Sequence, residues 1–277
     1  MSESTTKPAK AAAKHVHHEL RNINNSAAYL LPKLQAMKDA APGGHLKILD
    51  VGAGSGTIST GFAKLVPNGH VTATDLKEDI LERARTIAEA EGVTNISFQQ
   101  ADAYKLPFPD ATFDVVHCHQ VLTHLSAPSD ALREMLRVAK TSGGVVAARE
   151  GDLETECVWP PLPGLIKFHD FIVRAMKGAG GTSIAGRQLL SWALKAGVDR
   201  GQIEVGFGSW GFHEADEKRI WAQGMINEVR HGRLRQAGLR FGLTESDLEE
   251  MSTTWDEWAQ KDDASLGMLQ GELLIQK

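Results

Sequence analysis

Cysteine is scarce in this sequence: 277 residues contain two, Cys118 and Cys157. Two cannot build a disulfide framework, and these lack the Cys-x-x-Cys spacing of a structural metal site. Long apolar runs are missing as well. No stretch approaches the roughly 18 residues needed to cross a bilayer, and the first residues lack the apolar h-region of a secretory signal. Nor is there an excess of positive charge. With 30 Lys and Arg against 35 Asp and Glu, the net charge is −5, so binding along a phosphate backbone would need a local basic patch. These absences argue against a membrane span, a secreted disulfide scaffold and general nucleic-acid binding. They set the expectation of a reducing, cytoplasmic setting.

What is present has ordinary globular proportions, 42% hydrophobic and 23% charged. Met1–Lys14, rich in Ser, Thr, Lys and Ala, reads as a disordered tail. Residues 15–277 read as one domain: a core over 45–150, helical insertions over 151–265 and a last strand over 266–277. His15, His17 and His18 lie close together. Only Glu19 joins them, so no metal site is expected.

The chain is organised around Lys47-Ile-Leu-Asp-Val-Gly-Ala-Gly-Ser-Gly-Thr57. An apolar run that fits a buried strand breaks into glycines at alternate positions, Gly52, Gly54 and Gly56, and a helical pattern follows. Such a turn leaves bare main chain at a helix N-terminus, where a ligand can approach closely. Dinucleotide enzymes use G-x-G-x-x-G for a pyrophosphate. Here Asp50 precedes alternate glycines, and its charge would suit a cationic ligand better than a diphosphate.

In order along the chain, Asn22–Met37 reads as a helix divided by Pro32, with Tyr29 beside its apolar side. His70–Asp75 is a β-branched second strand ending in an acid. Asp75 lies about 20 residues past the glycines, where a strand-tip carboxylate can hold both hydroxyls of a ribose. The other reading of Asp75 is a cap for a helix over Leu76–Glu91. Ile96–Gln100 is a third strand, and Asp102 after it can accept from an adenine amine while Ala103 leaves room for the ring. Phe113–Cys118 is a fourth strand. His119 and Gln120 cross its carboxyl end, the edge where open parallel sheets bind ligands. Val145–Arg149 is a fifth strand.

Residues 48–150 resemble the class I S-adenosylmethionine-dependent methyltransferases, in particular the ubiquinone and menaquinone C-methyltransferase-like (type 11) group. The likeness rests on DVGAGSG, the acid of TATDL, QADAYKLPFPDATFDVVH, and HQVLTHL followed by LREMLRVAKTSGG. It implies an α/β, Rossmann-like sheet of seven mostly parallel strands, the last antiparallel, with helices on both faces and helical insertions forming a lid. It also implies S-adenosylmethionine as cofactor, held by Tyr29, Asp50, Gly52, Ala53, Gly54, Gly56, Asp75, Leu76, Asp102, Ala103, His119 and Gln120. The implied partner is a small-molecule methyl acceptor rather than nucleic acid, and a homodimer is left open.

Beyond the core, Ile203–Phe212 alternates as a sixth strand, helices follow over 220–229 and 243–260, and 267–277 closes the sheet. Trp159, Trp210, Phe212 and Met225 are expected to wall an apolar acceptor pocket, with Phe168 and Trp221 behind them. Where the acceptor must lose a proton, His124 and Glu150 are the candidate bases, with His119, Asp152 and His213 as further choices; histidine suits that task near neutrality. Two other classes stay open from the sequence: a cofactor-binding regulator without turnover, and a nicotinamide-dependent oxidoreductase.

Overall fold

A run such as Lys47-Ile-Leu-Asp-Val51 has too few polar residues to face water on either side, and a parallel sheet covered by helices is the arrangement that buries both faces. The computed structural model describes residues 16–277; the tail expected over 1–14, and His15, lie outside the described residues. In chain order, α1 (Leu31–Ala40) precedes β1 (Lys47–Val51), α2 (Thr57–Leu65), β2 (His70–Asp75), α3 (Glu78–Ala90), β3 (Ile96–Gln100), β4 (Val115–His119), α4 (Pro128–Val138) and β5 (Val145–Gly151). There follow β6 (Cys157–Trp159), α5 (Pro163–Gly178), α6 (Ala185–Lys195), β7 (Ile203–Phe212), α7 (Ala215–His231), α8 (Arg233–Arg240), α9 (Glu245–Gln260) and β8 (Ser265–Gln276).

The chain forms two compact units. The first comprises 21–152, 184–208 and 270–277. Its strands lie in the order β3-β2-β1-β4-β5-β8, with β7 also paired to β8. Neighbours from β3 through β5 are parallel, and β8 runs antiparallel to β5. Because successive side chains of a strand point to opposite faces, the sheet has two cores. Leu49, Val51, Val116, Cys118, Val146 and Ala148 pack with Leu132 and Met135 of α4 and Leu189 and Trp192 of α6. Ile48, Val71, Val115, Val145 and Ala147 pack with Leu34 of α1 and Phe62 of α2. This is the mostly parallel Rossmann-like sheet with an antiparallel last strand.

The second unit holds 153–183, 209–269 and the described residues up to Leu20. Its core is aromatic: Phe168, Phe171, Trp210, Phe212, Trp221, Trp255 and Trp258, gathered from α5, β7, α7 and α9. Thr244 caps the start of α9, its hydroxyl accepting the Asp247 N–H at 3.1 Å while Asp247 accepts the Thr244 N–H at 2.8 Å.

Several element bounds differ from the sequence reading, the following among them. The sheet gains an eighth strand, β6, where Cys157–Trp159 pairs antiparallel with Ser265–Gly267. β4 begins at Val115, and Phe113 makes only an isolated bridge to Ala139. β5 runs on to Gly151 because β8 continues to pair with it, Glu150 opposite Gly271 and Gly151 opposite Gln270. The helix after β2 starts at Glu78 with Lys77 at its cap, and Asp75 does not cap it. Among the described residues no helix is long and apolar enough to cross a membrane.

Candidate active site

β1 delivers the chain into a turn whose glycines all take positive φ: 70° at Gly52, 55° at Gly54 and 75° at Gly56. An ordinary side chain in that region costs about 1–2 kcal/mol. Two of the glycines are also required by packing. A Cβ at Gly52 would overlap Cγ2 of Val121, and one at Gly56 would lie 2.7 Å from the Ala84 Cβ. Gly54 is different, because no atom of the described residues lies within 4 Å of where its Cβ would be. Here the main chain is bare. The Gly54 N–H donates to Asp75 Oδ2 at 3.1 Å, and the Lys77 N–H donates to Asp75 Oδ1 at 3.1 Å. The Ala53 N–H ties the turn to β2 through the Thr74 carbonyl at 2.8 Å.

Next to Asp75, Leu76 is 63% exposed, an unusual position for a large apolar side chain. After β3, Asp102 is exposed with Oδ1 accepting the Tyr104 N–H at 2.9 Å, and Ala103 is half-buried. An open glycine position, a strand-tip carboxylate, an exposed apolar side chain and a second acid suit an adenosyl group, whose ribose donates, whose ring is flat and whose amine needs an acceptor.

Asp50 departs from expectation. It is turned into the fold: it is 2% exposed, and each of its oxygens has a partner inside the protein. Oδ2 accepts the Ser59 hydroxyl at 2.5 Å, and Oδ1 stands 2.8 Å from His117 Nδ1. Strand alternation turns the carboxylate inward, to the face where His117 meets the edge of Phe62 with ring centroids 5.0 Å apart. Asp50 therefore locks the first turn of α2 to β4 and holds the glycine turn from behind. His117, a polar residue inside the apolar run VVHCH, was the sequence signal for this partner.

At the carboxyl ends of β4 and β5, His119, Arg149 and Glu272 stand side by side in register. The Arg149 Nε donates to Glu272 Oε1 at 3.1 Å. Burial lowers the Arg149 pKa against the pull of Glu272. Burial also lowers Arg21 to about 10 and pushes the Tyr29 phenol well above its usual range. His119 is 5% exposed. Gln120 takes a positive φ of 57° and turns its amide to β8, Nε2 donating to Gln270 Oε1 at 2.7 Å. Glu272 and Gln270 escaped the sequence reading. Their only signal was polar residues at alternate positions of the last strand.

Glu150 also requires correction. It is a wholly buried member of β5, not a loop acid. Oε1 accepts the N–H groups of Val121 (3.0 Å) and Leu122 (2.9 Å), and Oε2 that of Thr123 (3.2 Å). Burial raises its pKa to about 7, opposed by those three donors. With its oxygens so engaged it positions the short 3-10 turn Leu122–His124 rather than attacking a proton itself. His124 ends that turn and is exposed. Asp152 is likewise committed, in a two-pronged ion pair with the Nε and Nη2 of Arg187.

The residues expected to wall an acceptor pocket lie in the aromatic unit. Phe212 stacks on Trp221 with centroids 4.5 Å apart, and Trp210 meets Trp221 at 5.7 Å. Trp210 and Phe212 are thus buried in that unit's own core, and Met225 packs against it. Trp159 is 57% exposed, its indole N–H donating to Asp263 Oδ2 at 3.2 Å. His213 is exposed, 3.7 Å from Glu214. Among the described residues no group of three or more His, Cys, Asp or Glu side chains is placed to hold a metal ion.

A parallel sheet with a bare glycine turn at its carboxyl edge, answered by an acid at the next strand tip, defines a class of enzymes that hold an adenosyl cofactor there. Known proteins narrow the class. Residues 43–160 match the family described as "Methyltransferase domain". An uncharacterized methyltransferase of Schizosaccharomyces pombe is 32% identical over 246 residues, covering 83% of this chain and 84% of its own. The ubiquinone/menaquinone biosynthesis C-methyltransferase of Burkholderia mallei is 40% identical over 139 residues, 50% of this chain and 54% of its own. A phosphoethanolamine N-methyltransferase of Haemonchus contortus, solved with S-adenosylhomocysteine, shares the fold with a TM-score of 0.53 at 16% identity, covering 99% of this chain and 59% of its own. The chain belongs to the S-adenosylmethionine-dependent methyltransferases. It is an enzyme, and S-adenosylmethionine is its cofactor.

Proposed function

We propose that this methyltransferase acts on a small, apolar or aromatic molecule. The observation that carries the cofactor's placement is Gly54, where the main chain is open on its outer side and its N–H points to the Asp75 carboxylate. When bound, S-adenosylmethionine supplies a methyl group on a positive sulfonium, ready for in-line displacement. The main chain of Gly52, Ala53, Gly54 and Gly56 would line the cofactor. Asp75 accepts the ribose hydroxyls, Leu76 and Ala103 flank the adenine, and Asp102 accepts from its amine. Tyr29, His119 and Gln120 would complete the cofactor's site. Asp50 acts through Ser59 and His117, keeping the turn in shape. His124 takes the proton where the acceptor must lose one, and Glu150 holds the turn that carries it. Alignment of acceptor and methyl supplies much of the rate, up to about 7–11 kcal/mol in ideal intramolecular cases.

The Burkholderia relative is named for carbon methylation in quinone biosynthesis, and likeness over the shared half supports an aromatic acceptor. Both cysteines are free, which supports a reducing, cytoplasmic setting. Purified protein with methyl-labelled S-adenosylmethionine, offered phenols, amines and small polar acids, should label flat phenolic acceptors. Label confined to small polar acids would overturn this reading.

A further inference from the structure

We propose that Gln270 and Gln120, poised over Gly151, form the recognition point for a methyl acceptor carrying a neutral oxygen, as a phenol, enol or carbonyl. The inference deepens the proposed function and rests on it, since it places the acceptor beside the cofactor turn.

Gln270 is wholly buried. Its Oε1 accepts the Gln120 Nε2–H at 2.7 Å, but its own Nε2 meets no acceptor among the described residues. Leaving such a donor unpaired costs about 1–3 kcal/mol. Leucine or methionine would fill the space without that cost, so an amide with a free donor at this position fits a ligand that completes the bond. The approach of the two amides depends on the residue opposite Gln270 in the β5–β8 pairing, Gly151. A Cβ at 151 would stand 3.0 Å from Gln120 Nε2 and 3.4 Å from Gln270 Nε2. Gln120 adds its own cost through a φ of 57°, rare outside glycine and concentrated at functional sites.

The location fits an acceptor. Gln120 directly follows His119 at the tip of β4, and β4 is paired in register with β1, which ends at Val51 just before Gly52. Gln120 is partly exposed and Gln270 is not, so the pair reaches from the surface inward. The chemistry also selects. Arg149 and Glu272, the neighbouring charges on β5 and β8, neutralise each other at 3.1 Å, so the pair offers little to an ammonium or a carboxylate. An N–H donor beside a balanced ion pair is matched by an oxygen lone pair without a full charge.

Three naphthalenes that differ only in head group test this: 2-naphthol, 2-naphthoate and 2-(aminomethyl)naphthalene. Each is titrated into the full chain, labelled with ¹⁵N-glutamine and saturated with S-adenosylhomocysteine. The side-chain NH₂ signals of Gln270 should move downfield with 2-naphthol alone. Gln270→Leu should weaken 2-naphthol about tenfold and leave S-adenosylhomocysteine affinity within twofold, and Gly151→Ala, which displaces both amides, should weaken 2-naphthol as well. With S-adenosylhomocysteine bound, unmoved signals in 2-naphthol, an equal response to the charged probes, or unchanged naphthol affinity in both variants would overturn the assignment. Failure of the wild type to bind S-adenosylhomocysteine is a separate result, which overturns the cofactor placement and the acceptor site with it.

Discussion

At the scale of single residues, the glycine turn contains two kinds of glycine, and substitution separates them. Gly52→Ala meets Val121 as well as an unfavourable φ, and should lower folding stability by about 2–5 kcal/mol, combining strain with overpacking. Gly54→Ala meets no neighbour. It should cost only the φ penalty of about 1–2 kcal/mol, yet weaken S-adenosylmethionine binding, because the new methyl occupies the open side of the turn. Urea unfolding with calorimetric titration distinguishes them; equal stability loss would show that the packing difference is unimportant. The two acids behind and beside the turn should separate the same way. Asp50→Ala strands Ser59 and His117 in the interior and should cost about 3 kcal/mol or more of stability. Asp75→Ala, at a half-exposed strand tip, should leave stability nearly unchanged and reduce cofactor affinity at least about tenfold, since hydrogen bonds to a charged group are the strong ones. An Asp75→Ala protein with wild-type affinity would remove the ribose assignment. Residue chemistry made Asp75 legible as a strand-tip acid about 20 residues past the glycine turn, and β2 ends on it. Residue chemistry gave no sign of the internal partner of Asp50, since His117 lies 67 positions away.

At the scale of elements, the decisive feature is the far end of β5. Glu150 holds the N–H groups of residues 121–123 while buried, and burial raises its pKa from 4.5 to about 7. Between those values the folded protein keeps a proton that the unfolded chain has released. The contribution of Glu150 to stability is therefore fully present below pH about 4.5 and falls as pH rises through about 7, by roughly 3 kcal/mol in all. Glu150→Gln abolishes that slope, at a pH-independent cost of about 1 kcal/mol for the impaired hydrogen bonding. Urea unfolding of both proteins across pH 4.5–8 should show the wild type losing stability relative to the variant; parallel curves would show that Glu150 does not titrate in this window. Local pattern placed β1, β2 and β3 well, β1 as a buried apolar run and β2 and β3 as short segments bounded by turns. It ended β5 two residues early, since Arg-Glu-Gly has no apolar pattern and only the pairing of Glu150 and Gly151 with β8 makes them strand. β6 was invisible for the same reason: three residues ending before Pro160 become a strand only through Ser265–Gly267. The glutamine pair over Gly151 is the same lesson at the site, since Gln120 and Gln270 are 150 positions apart.

At the scale of the whole molecule, an adenosyl cofactor and a dinucleotide make opposite demands on one architecture. A pyrophosphate seeks several free N–H groups at a helix N-terminus. Here the Gly54 N–H is already directed to a carboxylate, a second carboxylate is buried behind the turn, and the chain carries a net charge of −5. These features disfavour an added diphosphate and tolerate a sulfonium. A ligand bound only by the folded state stabilises it by about 2.7 kcal/mol at 100 times its dissociation constant. For a folding unit of about 150–250 residues this corresponds to a rise in Tm of about 5–10 °C. S-adenosylmethionine and S-adenosylhomocysteine should each produce a shift of that size in a thermal melt, Asp75→Ala should reduce it, and NADH at the same concentration should produce none. A comparable shift with NADH would mean that the carboxylates around Gly54 do not set the ligand's charge, and the selectivity would have to come from the adenine and ribose contacts alone.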